Sequence, residues 1–307
     1  MIPINAKQLF TRLITRRCEG QHKGDFGHIL VAGGSITMPG SVILSAQAAM
    51  RAGAGKVSVW IAPEHTATLI GRQPEVMLHQ DSEHPYGDMQ AYDVVLVGPG
   101  LGQGAWGKNC FTQIMQYHTG IKVLDADALH LLHLLEQNHD MQHEQYDLTR
   151  TILTPHPGEA AKLLHTDTIW IQRNRIEAVQ ALWQKYQCAA VILKGKHTLI
   201  TGRVTDHENN GYKNGYKNSA HESSNHDNDT IRVYQSDTDN PAMSTAGMGD
   251  FLAGILAALL AQGLKPMDAA QLAVYWHSHA AEKAQQQQQS ISVLASDLLH
   301  HLHLPVS

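Results

Sequence analysis

Cysteine is scarce in this 307-residue chain: Cys18, Cys110 and Cys188 are odd in number, far apart and in no metal-ligand spacing. That excludes a disulfide framework and a cysteine-based zinc module, and it suits thiols kept reduced inside a cell. Long apolar runs are lacking as well. The longest, Phe251–Ala261, is too short to span a bilayer, and no signal-type apolar core follows Met1-Ile-Pro-Ile-Asn-Ala-Lys7. Nor is there excess positive charge: 23 Lys+Arg and 28 Asp+Glu give a formal net charge of -5, which argues against a nucleic-acid surface. With 43% apolar and 17% charged residues, the chain has the material for a sizeable core. These absences predict a soluble cytoplasmic protein with neither membrane nor nucleic acid as partner.

What is present is an alternation of apolar strand-like runs and helical patterns. His28–Ala32, Lys56–Ile61, Asp93–Val97, Val123–Asp125, Thr151–Leu153 and Ala189–Leu193 read as strands, and Ser41–Arg51 as a helix with Val42, Ile43, Ala46, Ala49 and Met50 on one side. Apolar strands alternating with helices imply an α/β fold with a largely parallel sheet covered on both faces, its ligand site at the carboxyl ends of the strands. Two segments depart from the pattern. Residues 205–229 are nearly devoid of aliphatic side chains and contain Gly-Tyr-Lys-Asn twice in tandem, so they read as a disordered polar insertion at the tip of a hairpin formed by Thr198–Thr201 and Ile231–Tyr234. Gln285–Gln289 reads as a solvated linker between two helices. No domain boundary is visible, and residues 1–307 are expected to form a single domain.

Chemistry concentrates in a few loops. Asn240-Pro-Ala-Met-Ser-Thr-Ala-Gly-Met-Gly-Asp250 feeds a strongly apolar helix. Gly247 and Gly249 let the chain curl, so that their amides, that of Met248 and the unpaired N–H groups of the helix start form an anion hole for phosphate or a developing oxyanion. Asp250 would repel a bound phosphate, but it suits a general base that takes a proton from a hydroxyl. On the loop alone, a simple partner for the helix dipole remains an equal reading.

Gly53-Ala-Gly-Lys56 carries Val57 where a P-loop needs Ser or Thr, and reads as a tight turn. For Gly98-Pro-Gly-Leu-Gly-Gln-Gly104 a structural turn and a wall for a flat ligand are both open, since Pro99 breaks the dinucleotide fingerprint. In Leu124-Asp-Ala-Asp-Ala-Leu129, Asp127 is placed to N-cap the next helix and Asp125 to position a metal through water. In Thr154-Pro-His-Pro-Gly-Glu159 the two prolines hold His156 rigidly at a strand end, against a ligand or as a structural strap. Lys194-Gly-Lys-His-Thr198 follows a strand and suits a nucleotide's phosphates or adenosine edge.

The order of these motifs, with Ala-Gly-Gly-Ser (32–35), Met-Pro-Gly-Ser (38–41) and Arg-Ala-Gly-Ala-Gly-Lys (51–56) ahead of them, resembles the ADP-dependent NAD(P)H-hydrate dehydratases. Thr-Pro-His-Pro-Gly-Glu combined with Ala-Gly-Met-Gly-Asp (246–250) is the most specific part. The resemblance implies a ribokinase-like fold, Mg2+ dependence, a homotetramer, and repair of the S-epimer of hydrated NADH and NADPH by phosphorylation with ADP (or ATP) and loss of phosphate. By position, Ser41, Gly100, His156 and Asp250 would contact the hydrated cofactor, Asp250 being catalytic. Lys194, Gly195, Lys196, His197, Thr198 and Gly249 would contact the nucleotide. Ser41 stands where an Ala is expected after Met-Pro-Gly. The companion epimerase activity is expected from a separate protein. The alternatives are a ribokinase-like vitamin kinase, which would share the Gly-x-Gly-Asp loop but not Pro-His-Pro, and a catalytically silent nucleotide-binding regulator.

Overall fold

A computed structural model describes residues 1–4, 9, 17–79, 88–137, 146–203 and 232–303. The strands are β1 (Ile2–Pro3), β2 (His28–Ala32), β3 (Lys56–Trp60), β4 (Met77–Leu78), β5 (Val94–Val97), β6 (Ile121–Leu124), β7 (Thr151–Leu153), β8 (Ala190–Leu193), β9 (Leu199–Gly202) and β10 (Arg232–Gln235). They form one sheet in the order β1-β10-β9-β8-β7-β6-β5-β2-β3-β4. All pairings are parallel except those of β9, which runs antiparallel to both β8 and β10.

The helices are α1 (Pro39–Arg51), α2 (Thr66–Arg72), α3 (Ala105–Tyr117), α4 (Asp127–Gln137), α5 (Pro157–Leu163), α6 (Thr168–Arg173), α7 (Arg175–Tyr186), α8 (Met248–Ala261) and α9 (Pro266–Gln288). Alternate residues of each buried strand enter two cores. Ile29, Val31, Leu96 and Ile192 pack with α1, α8 and α9 on one face; Leu30, Val95, Val97 and Leu193 pack with α3, α4, α5 and α7 on the other. A strand covered on both sides has no polar face to show, which is why the sequence runs are continuously apolar rather than alternating. Among the described residues, no helix is long and apolar enough to cross a membrane.

The predicted strands are present within a residue or two, and β9 pairs with β10 as the predicted hairpin, Gly202 opposite Arg232. The insertion at 205–229 lies outside the described residues. The glutamine run is not a linker: Gln285–Gln288 are the last residues of α9, and Gln289 closes it at φ 51°. Glutamine is a good helix former, and Ala280, Ala281 and Ala284 keep one face of that last stretch buried, so the helix continues.

The order β8-β7-β6-β5-β2 places five parallel strands side by side, so the segments leaving their carboxyl ends share one edge of the sheet. Those segments carry Lys194, Thr154 to His156, Asp125, Gly98 to Gly100 and Gly33 to Gly34. Gly98 shows why one of them must be glycine. Its φ is 126°, and a Cβ would fall 1.7 Å from the Asp125 carbonyl oxygen.

Candidate active site

A cavity of about 640 Å³ opens on that edge. Ser41, Gly100, His156 and Asp250, which the resemblance assigns to the hydrated cofactor, all line it. They come from four places. Ser41 lies in the first turn of α1, Gly100 follows β5, His156 precedes α5 and Asp250 lies in the first turn of α8. Loop geometry draws them together: the Gly34 amide donates to the Pro99 carbonyl at 2.9 Å and the Ser35 amide to the Gly100 carbonyl at 2.7 Å. The Ser45 hydroxyl donates to the Asp250 carbonyl at 2.9 Å and joins α1 to α8.

Helix α8 begins after Gly247, whose φ of 88° is left-handed. The first helical hydrogen bond runs from the Phe251 amide to the Gly247 carbonyl at 3.0 Å, and no side chain caps the helix. The amides of Met248, Gly249 and Asp250 therefore precede the regular ladder and give the helix start its positive end. Burial, then the nearby Asp125 charge, push the Asp250 carboxyl up to about 6; a hydrogen bond from Ser41 and the Lys194 charge work the other way.

Beneath this turn lies a buried ionic cluster. Lys194 Nζ donates to Asp125 Oδ1 at 2.6 Å and stands 3.9 Å from Glu159 Oε2. The Thr154 hydroxyl donates to the same Asp125 oxygen at 2.7 Å. A Cβ on Gly249 would sit 3.2 Å from Lys194 Nζ and 3.8 Å from Asp125 Oδ2, so the missing side chain is what lets the helix start approach the cluster. Burial alone would lower the Lys194 pKa, but Asp125 and Glu159 outweigh it and raise it. Glu159 is pushed up to about 7 by burial, against the opposing pull of Lys194 and with a further push from Asp125. Asp125, Glu159 and Asp250 thus share one ammonium, and the surplus negative charge is one reason the Glu159 and Asp250 carboxyls are pushed up. Such a donor set fits a hydrated divalent cation, with Asp125 Oδ2 facing the helix start where phosphates would lie.

One expectation needs correction, and two further residues are tied by bonds that their motifs did not show. Asp127 does not N-cap α4; it is the first helical residue, and its carboxylate accepts the Gly102 amide at 2.8 Å, pinning the glycine loop. Asp125 is not a free carboxylate, since one oxygen is committed to Lys194 and Thr154. His156 is not a free donor. Its Nδ1 accepts the Gly158 and Glu159 amides at 3.0 and 3.3 Å, leaving the ring proton on Nε2, 3.2 Å from Glu159 Oε1. Glu159 returns a bond from the His156 amide at 2.7 Å, a reciprocal capping box. The imidazole therefore straps the start of α5 and offers the cavity a ring edge and face.

The five residues 194–198 do not line the cavity. Their loop is tied from behind: Arg175 Nη2 donates to the Leu193 carbonyl at 3.1 Å, Thr198 Oγ1 to the Gly195 carbonyl at 3.1 Å, and Lys196 pairs with Asp239 at 2.8 Å. The ammonium of Lys194 stands between that loop and Gly249. Glu159 joins the site without a role that the sequence assigned to it, although the His-x-x-Glu spacing of a capping box signals it. His277 left no signal. It sits on α9 behind the α8 start, and burial, aided by Lys194, pushes it down to about 4.

The family model for NAD(P)H-hydrate dehydratase matches residues 29–223 and 225–304. A bifunctional NAD(P)H-hydrate repair enzyme of Coxiella burnetii is 38% identical over 96% of this chain and 53% of its own length. An ADP-dependent (S)-NAD(P)H-hydrate dehydratase of Neisseria meningitidis is 34% identical over 89% of this chain and 82% of its own. The chain thus spans about half the length of the Coxiella relative. Its fold is ribokinase-like. A structure of an ADP/ATP-dependent NAD(P)H-hydrate dehydratase of Bacillus subtilis, co-crystallized with ATP/Mg2+, superposes with a TM-score of 0.73 at 24% identity, covering 98% of this chain and 96% of that one. With the family model matched along nearly all of its length, this chain belongs to the NAD(P)H-hydrate dehydratase family.

Proposed function

We propose that the chain is a nucleotide-dependent hydro-lyase that returns the S-epimer of hydrated NADH or NADPH to the reduced dinucleotide. The observation that carries this is Asp250: a half-buried carboxylate beside an uncapped helix start, on the wall of a cavity it shares with Ser41, Gly100 and His156. The ADP-dependent relative supports the choice of ADP as phosphoryl donor.

In this reading the hydroxyl of the hydrated ring lies against Asp250. Asp250 accepts the hydroxyl proton as the oxygen attacks the terminal phosphoryl of ADP, and AMP leaves. The amides of Gly247, Met248 and Gly249 face the oxygens of the group in transit, where preorganised donors count most. Ser41 hydrogen-bonds Asp250 and orients it, and His156 packs its ring against the cofactor. Lys194, held by Asp125, keeps a positive charge below the helix start. When bound, Mg2+ would neutralise phosphate charge, and Asp125 is the carboxylate that would hold it, through water. The phosphate then departs with its bonding electrons, a ring proton is lost, and the ring double bond is restored. Gly195, Lys196, His197 and Thr198 would flank the nucleotide from the far side of Lys194.

The test mixes protein, Mg2+ and chemically hydrated NADH with ADP or ATP and follows the return of reduced-nicotinamide absorbance. Asp250→Asn should retain nucleotide binding and lose about 10²–10⁴-fold in turnover. No recovery with either nucleotide would overturn the reading, and a stable phosphorylated alcohol from a vitamin substrate would replace it with the kinase reading.

A further inference from the structure

Behind one wall of the cavity lies a second cluster that the proposed reaction does not use. His133 and Glu136 stand three residues apart on α4, on the same face of the helix. His165 joins them from the turn after α5, held at φ 52°, where a non-glycine residue is uncommon. A ring nitrogen of each histidine and a carboxylate oxygen of Glu136 all lie within 4.8 Å of one another. His165 Nε2 is 3.3 Å from Glu136 Oε2. His133 is only 8% exposed, and its Nδ1 has no hydrogen-bond partner among the described residues. The other ring nitrogen, Nε2, lies 3.0 Å from Gln137 Nε2, so Nδ1 can ligate a cation once that amide turns its oxygen to accept Nε2–H. A buried ring nitrogen left unpaired costs free energy unless something else fills the role.

We infer that His133, Glu136 and His165 form a binding site for a divalent transition cation, Zn2+ being the natural occupant, which clamps α4 to the loop between α5 and α6. Two imidazoles and one carboxylate are borderline ligands that suit Zn2+ better than Mg2+, and three protein ligands leave a position for water. Zn–N and Zn–O bonds are about 2.0–2.2 Å, so the three donors must close in. His165 can supply that movement, because its side chain is 53% exposed. The clamp has a consequence for the cavity. Leu129 and His130 on α4 line it, as do Thr166, Asp167 and Thr168 immediately after His165. A cation at the cluster would fix these two parts of the wall against each other.

Two groups on α7 compete with the cation for Glu136, and Tyr186 does so through a side-chain hydrogen bond. Lys185 on α7 places Nζ 2.8 Å from Glu136 Oε2 and 2.6 Å from the Leu163 carbonyl. Its ammonium competes for the carboxylate, so it acts as a built-in weakening of the site and must swing away or share Glu136 when the cation enters.

The proposal is independent of the dehydration reading, and its test needs no substrate. Zn2+ alone is titrated calorimetrically into chelator-stripped protein, and thermal midpoints are measured with and without it. Wild type should bind one equivalent and melt higher when loaded. His165→Ala, chosen because the side chain is half exposed, should fold normally and weaken that binding at least about tenfold, the scale that even outer-sphere changes reach. Glu136→Gln should behave likewise, whereas Lys185→Met should bind more tightly than wild type. Co2+ in place of Zn2+ should give the visible absorption of a four-coordinate nitrogen and oxygen site, and lose it in His165→Ala. No saturable binding by wild type, or binding of equal affinity in His165→Ala, would overturn the site.

Discussion

At the scale of single residues, the chemistry turns on how burial sets proton affinity. Asp250 is pushed up to about 6, and in the proposed reaction it must be deprotonated to act as the base. We therefore expect the rate at saturating nucleotide to rise through about pH 6 and level off above it. A flat profile between about pH 5 and pH 7 would remove Asp250 from the proton transfer. His156 does two jobs in the structure, which changes what its removal should do. His156→Ala loses the N-cap of α5, worth about 0.5–2 kcal/mol, so the melting temperature should fall along with cofactor affinity. His156→Asn keeps a capping side chain and should recover the melting temperature without the affinity. Recovery of both by Asn would mean that the imidazole serves only as a strap.

At the scale of elements, two features carry predictions. Helices α1 and α8 approach backbone to backbone at Gly254, where a Cβ would fall 2.3 Å from the Ser45 carbonyl oxygen. Gly254→Ala should force the pair apart and cost on the order of 1–3 kcal/mol in chemical denaturation, because backbone cannot give way as a flexible side chain can. It should also slow turnover, since Ser41 and Asp250 face each other from these two helices. A variant as stable as wild type would show that the helices can slide. The other element is the β9–β10 hairpin. Gly202 and Arg232 are paired neighbours, so the ends of the connection already meet. Replacing residues 205–229 with Asn-Gly should leave both thermal midpoint and activity nearly unchanged, as closure entropy varies only slowly with loop length. A large loss in either would assign that segment a structural or ligand-binding part.

At the scale of the whole molecule, stability depends on pH through groups with opposite signs. Glu159, pushed up to about 7, and Asp250, at about 6, hold protons in the folded state that the unfolded chain releases near pH 4. Their contribution is present at low pH and lost as pH rises through those folded values. His277, pushed down to about 4, works the other way: its contribution is present above 6.5 and is lost as pH falls toward 4. Glu159→Gln removes one of the falling terms. Relative to wild type it should gain melting temperature between about pH 5 and about pH 7.5. An identical difference at both ends of that range would show that Glu159 titrates ordinarily.

Much of this was legible in the linear chain. The strands announced themselves because both of their faces are covered, so each reads as a short apolar run such as Val94–Val97 or Ala190–Leu193. Gly247 and Asp250 were legible because a left-handed cap and a first-turn carboxylate are local features. The two-residue strands β1 and β4 were not, being too short to carry a period. Nor was the persistence of α9 through its glutamines, which the buried alanines on one face sustain. The ionic cluster could not be read at all. Asp125, Glu159 and Lys194 lie far apart along the chain and meet only because β6, β7 and β8 are neighbours in a parallel sheet. By itself, then, the sequence determined the main buried strands and the glycine-rich loop that opens α8 with a first-turn carboxylate, since those depend on neighbours along the chain. Tertiary structure alone decided which charge answers which, because inside a protein a pKa is set by what lies a few ångströms away in space.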